Sequence, residues 1–231
     1  MRKSIEIPGP PPRRGARVLS VQAHAGGLFT LKLDAGEVPF VPGDCIAVYA
    51  PDGKSTRPYS LAGGTADPCL ELLIRRIPGG LLSDWLFHRQ PGDLLWITPP
   101  FGWFRPAAPP EAPKIWFATG SGIAPFLSAL RSGAGAPLAC YWGVRSADDL
   151  DGISFPGVIP RISRGPNATG RLTGYLHEVR IDSGIHYALC GLDAMIEQVS
   201  HWLEGHGVPA AHIHKECFFT DPPMKRSGIE A

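Results

Sequence analysis

Ala118-Thr119-Gly120-Ser121-Gly122-Ile123-Ala124-Pro125 runs an apolar strand through a glycine turn into a helix. That arrangement lays a dinucleotide pyrophosphate on a helix N-terminus. Outward from it, toward the C-terminus, strands and helices alternate. Strands are predicted at 115–118, 138–144, 158–163, 186–190 and 212–218, helices at 123–131, 173–179 and 192–203, and a short helical turn at 148–150. Met195, Ile196, Val199 and Leu203 share one face of the last helix. This rhythm predicts a Rossmann-like parallel sheet covered by helices. Toward the N-terminus the rhythm differs. Short alternating runs at 16–22, 28–33, 45–49, 59–62, 70–77 and 94–98 are separated by Gly26-Gly27, Pro42-Gly43-Asp44, Asp52-Gly53 and Pro91-Gly92-Asp93. They predict a small antiparallel β-barrel interrupted by one helix at 82–88.

Arg105 to Pro113, with four prolines in nine residues, reads as a stiff linker between the two units. The expected organisation is a disordered Pro-rich leader over 1–15, a barrel domain over 16–110 and an α/β domain over 111–231. A formal charge of +1 on 231 residues leaves no basic stripe, which argues against nucleic acid as a partner. Cys45, Cys69, Cys140, Cys190 and Cys217 are odd in number and widely spaced. No pair has zinc-site spacing and no run suits an iron–sulfur cluster, so free thiols in a reducing cytoplasm are expected. The basic start lacks a signal-peptide apolar stretch, and the longest uncharged run, 115–130, falls short of a membrane span. His212 and His214 share a face of the last strand. They suit either a metal or merely a polar strand face, and no third ligand is apparent, so no metal site is assigned.

Arg57-Pro58-Tyr59-Ser60 offers a cation, an aromatic plane and a hydroxyl within four residues, suited to a flat, phosphate-bearing cofactor. It equally suits a strand end with a core tyrosine and a solvated arginine. Pro78-Gly79-Gly80-Leu81-Leu82-Ser83 follows a strand and opens a helix; its glycines let amides approach an anion, and Ser83 adds a hydroxyl.

In this order the motifs resemble the ferredoxin–NADP reductase superfamily. The barrel carries the R-x-Y-S string, the G-G-x-x-S helix start, and Pro99-Pro100-Phe101-Gly102 in place of a G-P-x-G turn. The second unit carries the T-G-x-G-I-A-P turn, a strand ending in Gly143-Val144-Arg145, the Cys190-Gly191 pair, and Glu216-Cys217-Phe218 on the last strand. The likeness runs from about residue 16 to 219. It implies an FAD-dependent oxidoreductase that takes hydride from NADPH or NADH and passes electrons singly to a separate protein, ferredoxin or flavodoxin. The alternatives are the reductase component of an oxygenase system, a reductase of free flavin or ferric chelates, and an electron-transfer subunit of a larger complex.

The resemblance also implies roles. Arg57, Pro58, Tyr59 and Ser60 hold the flavin, with the Ser60 hydroxyl near the hydride-accepting nitrogen. Gly80, Leu82 and Ser83 seat the pyrophosphate. Thr119, Gly120, Gly122 and Gly191 receive the nicotinamide dinucleotide, and Cys190 lies beside its ring. Glu216 joins a hydrogen-bond relay at the ring edge, and Phe218 covers the flavin face. Simpler roles compete: packing for Cys190, a surface ion pair for Glu216, and core burial for Phe218. Ser163 and Arg164, assisted by Arg145 or Arg171, stand where a 2′-phosphate would sit, which favours NADPH over NADH, though a solvated arginine at a strand end is the simpler reading. FMN in place of FAD stays open, with Tyr49 as a candidate surface for an adenine.

Overall fold

The structure, a computed structural model, describes the backbone of residues 13–219 and the side chains of residues 13–216. Six strands make the first sheet: β1 (Arg14–Ala23), β2 (Leu28–Asp34), β3 (Cys45–Tyr49), β4 (Thr56–Ser60), β5 (Leu70–Arg75) and β6 (Leu94–Ile97). Helix α1 (Ser83–Phe87) lies between β5 and β6. The strands pair antiparallel in the order β4-β3-β6-β1-β2-β5. A bridge between Leu61 and Leu72 brings the two ends of this curled sheet together. Alternation drives the curl: Phe29, Leu31, Leu33, Ile46, Val48, Leu70, Leu72 and Ile74 all point into one buried interior.

Two expectations shift here. Strand β1 begins at Arg14, inside the expected leader, because Arg14 and Gly15 pair with Ile97 and Trp96. Residues 1–12 of that leader lie outside the described residues. The predicted strand at 59–62 is instead β4 at Thr56–Ser60, since pairing with β3 continues back to Tyr49↔Thr56. Pro58 is tolerated there because β4 is an edge strand.

The second sheet is parallel, with β7 (Lys114–Thr119), β8 (Ala139–Val144), β9 (Val158–Ile162), β10 (His186–Leu192) and β11 (Ile213–Phe219) in the order β11-β10-β7-β8-β9. Its strands are nearly uniformly apolar because both faces are covered. Helix α2 (Ala124–Arg131) covers one face, and α3 (Asp193–Gly205) covers the other. The helix expected at 173–179 is a 3-10 turn, Leu172–Glu178, broken at Tyr175. Gly174 weakens helix there, and the Arg161 guanidinium stacks over the Tyr175 ring at 4.0 Å.

The two sheets share a core. Leu28, Ala62 and Leu73 of the barrel pack with Phe104, Phe126 and Trp116, and Phe126 stacks on Trp116 at 4.9 Å. The expected linker is therefore docked: Phe104 is buried, and the Trp116 indole donates to the Pro106 carbonyl at 3.0 Å. Arg131 of α2 crosses to Glu71 at 2.5 Å and to the Ala62 carbonyl at 3.0 Å.

Candidate functional site

The parallel sheet reverses its strand order between β7 and β10, and ligands in such sheets bind at the carboxyl ends beside that point. Thr119 ends β7, and Cys190-Gly191 lies near the end of β10. The structure packs these motifs against one another. Thr119 Oγ1 accepts the Leu192 N–H at 2.8 Å. Gly191 has φ +140°, and a Cβ there would collide with Thr119 Oγ1. A Cβ on Gly122 would come within 2.5 Å of the Cys190 carbonyl. Gly120 adopts φ +52°, and its carbonyl accepts the Trp142 indole N–H at 2.9 Å. The glycines thus first let the turn close on β10, which fixes the mouth of the crevice.

β11 lies beside β10 in register Cys190↔Glu216. Cys190 is fully buried, while Glu216 is half-buried. Burial pushes the Glu216 carboxyl up, against the opposing pull of the Arg105 guanidinium. Glu216 in turn acts on Cys45, whose thiol is pushed up to about 12, chiefly by burial, then by Glu216 and Asp44. Cys45 pairs with Ser60 across β3 and β4. The end of β11 therefore lies near enough to the RPYS edge of the barrel for Glu216 to act on Cys45, the β3 partner of Ser60. Phe218 is on β11, but its side chain lies outside the described residues.

Within the RPYS string, Ser60 is buried to 9 % exposure, and its hydroxyl has no hydrogen-bond partner among the described residues. Tyr59 packs on the barrel core, and its hydroxyl is pushed up to about 12 by burial. Arg57 is exposed and donates only to the Thr56 carbonyl, at 2.8 Å, so its charge is available to an anion. The bridge Leu61↔Leu72 is antiparallel, and its sense points the Arg57 end of β4 toward the Arg76–Gly80 end of β5. The donor set (a lone hydroxyl, an uncommitted guanidinium, a nearby glycine turn) fits a flavin nucleotide.

The glycine turn works differently from the sequence expectation. The Gly80 N–H donates to the Ile77 carbonyl at 2.8 Å, and the Gly79 N–H to Asp84 at 3.1 Å. Ser83 Oγ accepts the Ile77 N–H at 3.1 Å. The backbone N–H groups of Leu81, Leu82 and Ser83 have no partner among the described residues. They are the donors left for a phosphate, while the Leu82 side chain is core. Tyr49 is buried at 8 % exposure, so it offers no open ring to an adenine; Trp103 stands 97 % exposed beside the Phe101-Gly102 turn.

At the ends of β8 and β9 the expected 2′-phosphate residues do meet. The Arg164 N–H donates to the Arg145 carbonyl at 2.8 Å, and Ser163 Oγ donates to the Val144 carbonyl at 3.0 Å. Both arginines are exposed, and neither guanidinium has an acidic partner among the described residues. Arg161 is committed to Glu178.

Sequence reasoning missed three features. Arg105 pairs with Asp44 at 3.0 Å and holds the Gly102 and Phe104 carbonyls. Asp149, signalled only by the Ser146-x-x-Asp149 capping box, is buried and pairs with Arg75. His186 joins the two histidines of the last strand: its ring stacks on His212 at 4.1 Å and its Nδ1 lies 3.0 Å from His214 Nε2. No set of three His, Cys, Asp or Glu among the described residues converges on a metal-binding point. No helix among the described residues is long and apolar enough to cross a membrane.

Residues 20–105 match the oxidoreductase FAD-binding domain family. A curated relative from Sorangium cellulosum, ferredoxin–NADP reductase B, is 31 % identical over 198 residues, covering 73 % of this chain and 80 % of its own. The reductase component of naphthalene 1,2-dioxygenase/salicylate 5-hydroxylase systems from Ralstonia sp is 30 % identical over 206 residues, covering 80 % of this chain. The chain spans 62 % of that relative's length. Among solved structures, an Amycolatopsis cytochrome P450 reductase superposes with a TM-score of 0.77 at 29 % identity, over 90 % of this chain and 71 % of its own.

Proposed function

Since the chain belongs to the ferredoxin–NADP reductase family, we propose that it takes hydride from NADPH, with NADH the lesser donor, and passes electrons singly to a separate acceptor protein such as ferredoxin or flavodoxin. The observation that supports this reading is that Glu216, in register with Cys190 on the parallel sheet, acts on Cys45, which pairs with Ser60 in the barrel. Arg57, Pro58, Tyr59 and Ser60 hold FAD, with the turn at Gly80 and the amides of Leu81, Leu82 and Ser83, which have no partner among the described residues, taking its pyrophosphate. FAD supplies the hydride acceptor and the step from two electrons to one.

The chain's own residues orient. Thr119, Gly120, Gly122 and Gly191 shape the crevice that receives the nicotinamide dinucleotide, and Cys190 sets its floor. The Ser60 hydroxyl, which bonds no other described residue, would donate to the ring nitrogen of a bound flavin. Glu216, with its carboxyl held up by burial, carries a proton at the ring edge over a wider pH range than an exposed glutamate. Arg145, Ser163 and Arg164 take the 2′-phosphate and favour NADPH. A cytoplasmic setting suits the widely spaced cysteines.

A second reading, the reductase component of an oxygenase system, is favoured by the name of the Ralstonia relative. It changes the acceptor, not the chemistry. The test is anaerobic stopped-flow of the FAD-loaded protein, following flavin bleaching with NADPH and with NADH. Bleaching with both, faster with NADPH, is expected. A protein that takes up no FAD, or a flavin that neither nucleotide bleaches, overturns the proposal.

A further inference from the structure

Asp149 sits on the 3-10 turn Ala147–Leu150 and is 1 % exposed. Its carboxylate has two jobs. Oδ2 accepts the N–H of Arg145 at 2.8 Å and of Ser146 at 3.2 Å, so it fixes the chain where β8 ends. Oδ1 meets Nη2 of Arg75 at 2.7 Å and accepts no aligned hydrogen bond, so that contact is an ion pair and, among the described residues, the only neutralisation this oxygen receives. Arg75 belongs to the barrel, as the last residue of β5, and its other amino group donates to the Gly26 carbonyl. The β1–β2 turn closes over the pair: Gly26 has φ +75°, and a Cβ there would approach Asp149 Oδ1 to 2.5 Å and its backbone nitrogen to 2.8 Å. On the far side, a Cβ on Gly120 would lie 3.8 Å from Arg75 Nη2. One guanidinium of the barrel is thus wedged between the ends of β7 and β8.

Gluing the two sheets together does not require this pair. The shared apolar core and the Arg131–Glu71 ion pair, at 2.5 Å, already do that. The Arg75–Asp149 pair differs because its carboxylate is buried and holds the amide of Arg145. Removing one partner of a buried ion pair strands the other in a low-dielectric site and displaces what it holds. Arg145 in turn receives the Arg164 amide on its carbonyl, so both exposed cations hang from the backbone that Asp149 fixes.

We propose that Arg75 is a positioning residue for coenzyme choice: a barrel guanidinium that, through the buried Asp149 carboxylate, sets where Arg145 and Arg164 present their charge to a 2′-phosphate. The proposal rests on the reading of those two arginines as the 2′-phosphate site. It is tested by calorimetric titration of the FAD-loaded full chain with 2′,5′-ADP and with 5′-AMP, which differ only in that phosphate. Arg75→Gln should weaken 2′,5′-ADP by about fivefold or more while leaving 5′-AMP within about twofold. Asp149→Asn should act in the same direction. The double variant should be no worse than the worse single one, because both break one contact. Arg75→Lys, which keeps the cation, should recover part of the loss and guards against a misfolded Arg75→Gln. Arg131→Gln, which breaks the other ion pair between the sheets, should leave the ratio of affinities unchanged.

Equal weakening of both ligands by Arg75→Gln would mean a direct contact to the shared 5′-phosphate, and overturns the proposal. So does a ratio that Arg131→Gln shifts as much. A wild-type protein that discriminates and an Arg75→Gln protein that discriminates equally overturn the proposal alone. A wild-type protein that binds both ligands alike removes the 2′-phosphate site and the proposal with it, while flavin bleaching by NADPH still decides the reductase reading separately.

Discussion

Ser60 and Arg164 each carry a single separable interaction, so their replacement should touch one kinetic quantity each. The Ser60 hydroxyl bonds no other described residue, and removing it therefore costs the fold no hydrogen bond. Ser60→Ala should keep its melting temperature within about 1 °C while flavin reduction slows by roughly a hundredfold, the usual loss for one donor aimed at a reacting centre. Stopped-flow bleaching beside a thermal melt measures both, and a lower melting temperature with unaltered bleaching would contradict the assignment. Arg164 lies just past the end of β9, two strands from β7, and a charge-assisted bond to a phosphate is worth about 1.5–3 kcal/mol. Arg164→Ala should therefore raise KM for NADPH by about ten- to a hundredfold with kcat nearly constant, because binding is lost equally in ground and transition states. KM for NADH should not move. A matching rise with NADH would place the guanidinium on the common part of the two coenzymes.

Where two elements meet, at the ends of β7 and β10, a contact invisible to local pattern takes over. Gly191→Ala should cost about 2–4 kcal/mol, from its positive φ and from the collision with Thr119, and the loss should appear in a denaturant melt of the apoprotein. Thr119→Ser keeps the acceptor for the Leu192 N–H and should cost far less. The strands themselves were legible in the sequence because alternation and apolar runs are local signals. So were the turns at Gly120 and Gly80, and the family order of the motifs. The amides that face outward at the second turn were not, since only folding commits the Gly79 and Gly80 N–H groups to Asp84 and Ile77. The 3-10 character of Leu172–Glu178 was also hidden, because the Arg161 stack on Tyr175 that accompanies it comes from another strand. Arg75 and Asp149 fall in different units of the chain, and no spacing rule connects them. Arg145, Ser163 and Arg164, by contrast, were found together because consecutive parallel strands end side by side.

The parallel sheet gives the molecule two chemically opposite ends, and their pH responses should have opposite signs. At the start of β10 and β11, His186 and His214 are both held below the ordinary histidine value, first by burial. His212 and His214 then act on His186, His212 acts on His214, and Lys114 adds to the effect at His186. The unfolded chain therefore binds protons that the folded one refuses, and stability falls as pH drops below about 6.5. At the other end, burial raises Glu216, so the folded state favours its protonated form. That contribution is fully present below the ordinary value of 4.5 and is lost as pH rises through the folded value. Wherever Glu216 is ionised, its burial is a cost that the fold bears, which is the expected signature of a group kept for its chemistry. Melting curves from about pH 8 to about pH 5 separate the two ends. His186→Gln with His214→Gln should flatten the fall of melting temperature below pH 6.5 without altering coenzyme affinity. Glu216→Gln should melt higher than wild type near pH 7, with the gain shrinking toward pH 4.5, while flavin reduction slows. If Glu216→Gln melts lower than wild type across the whole range, the carboxylate is a structural ion-pair partner for Arg105, and its place at the ring edge is lost.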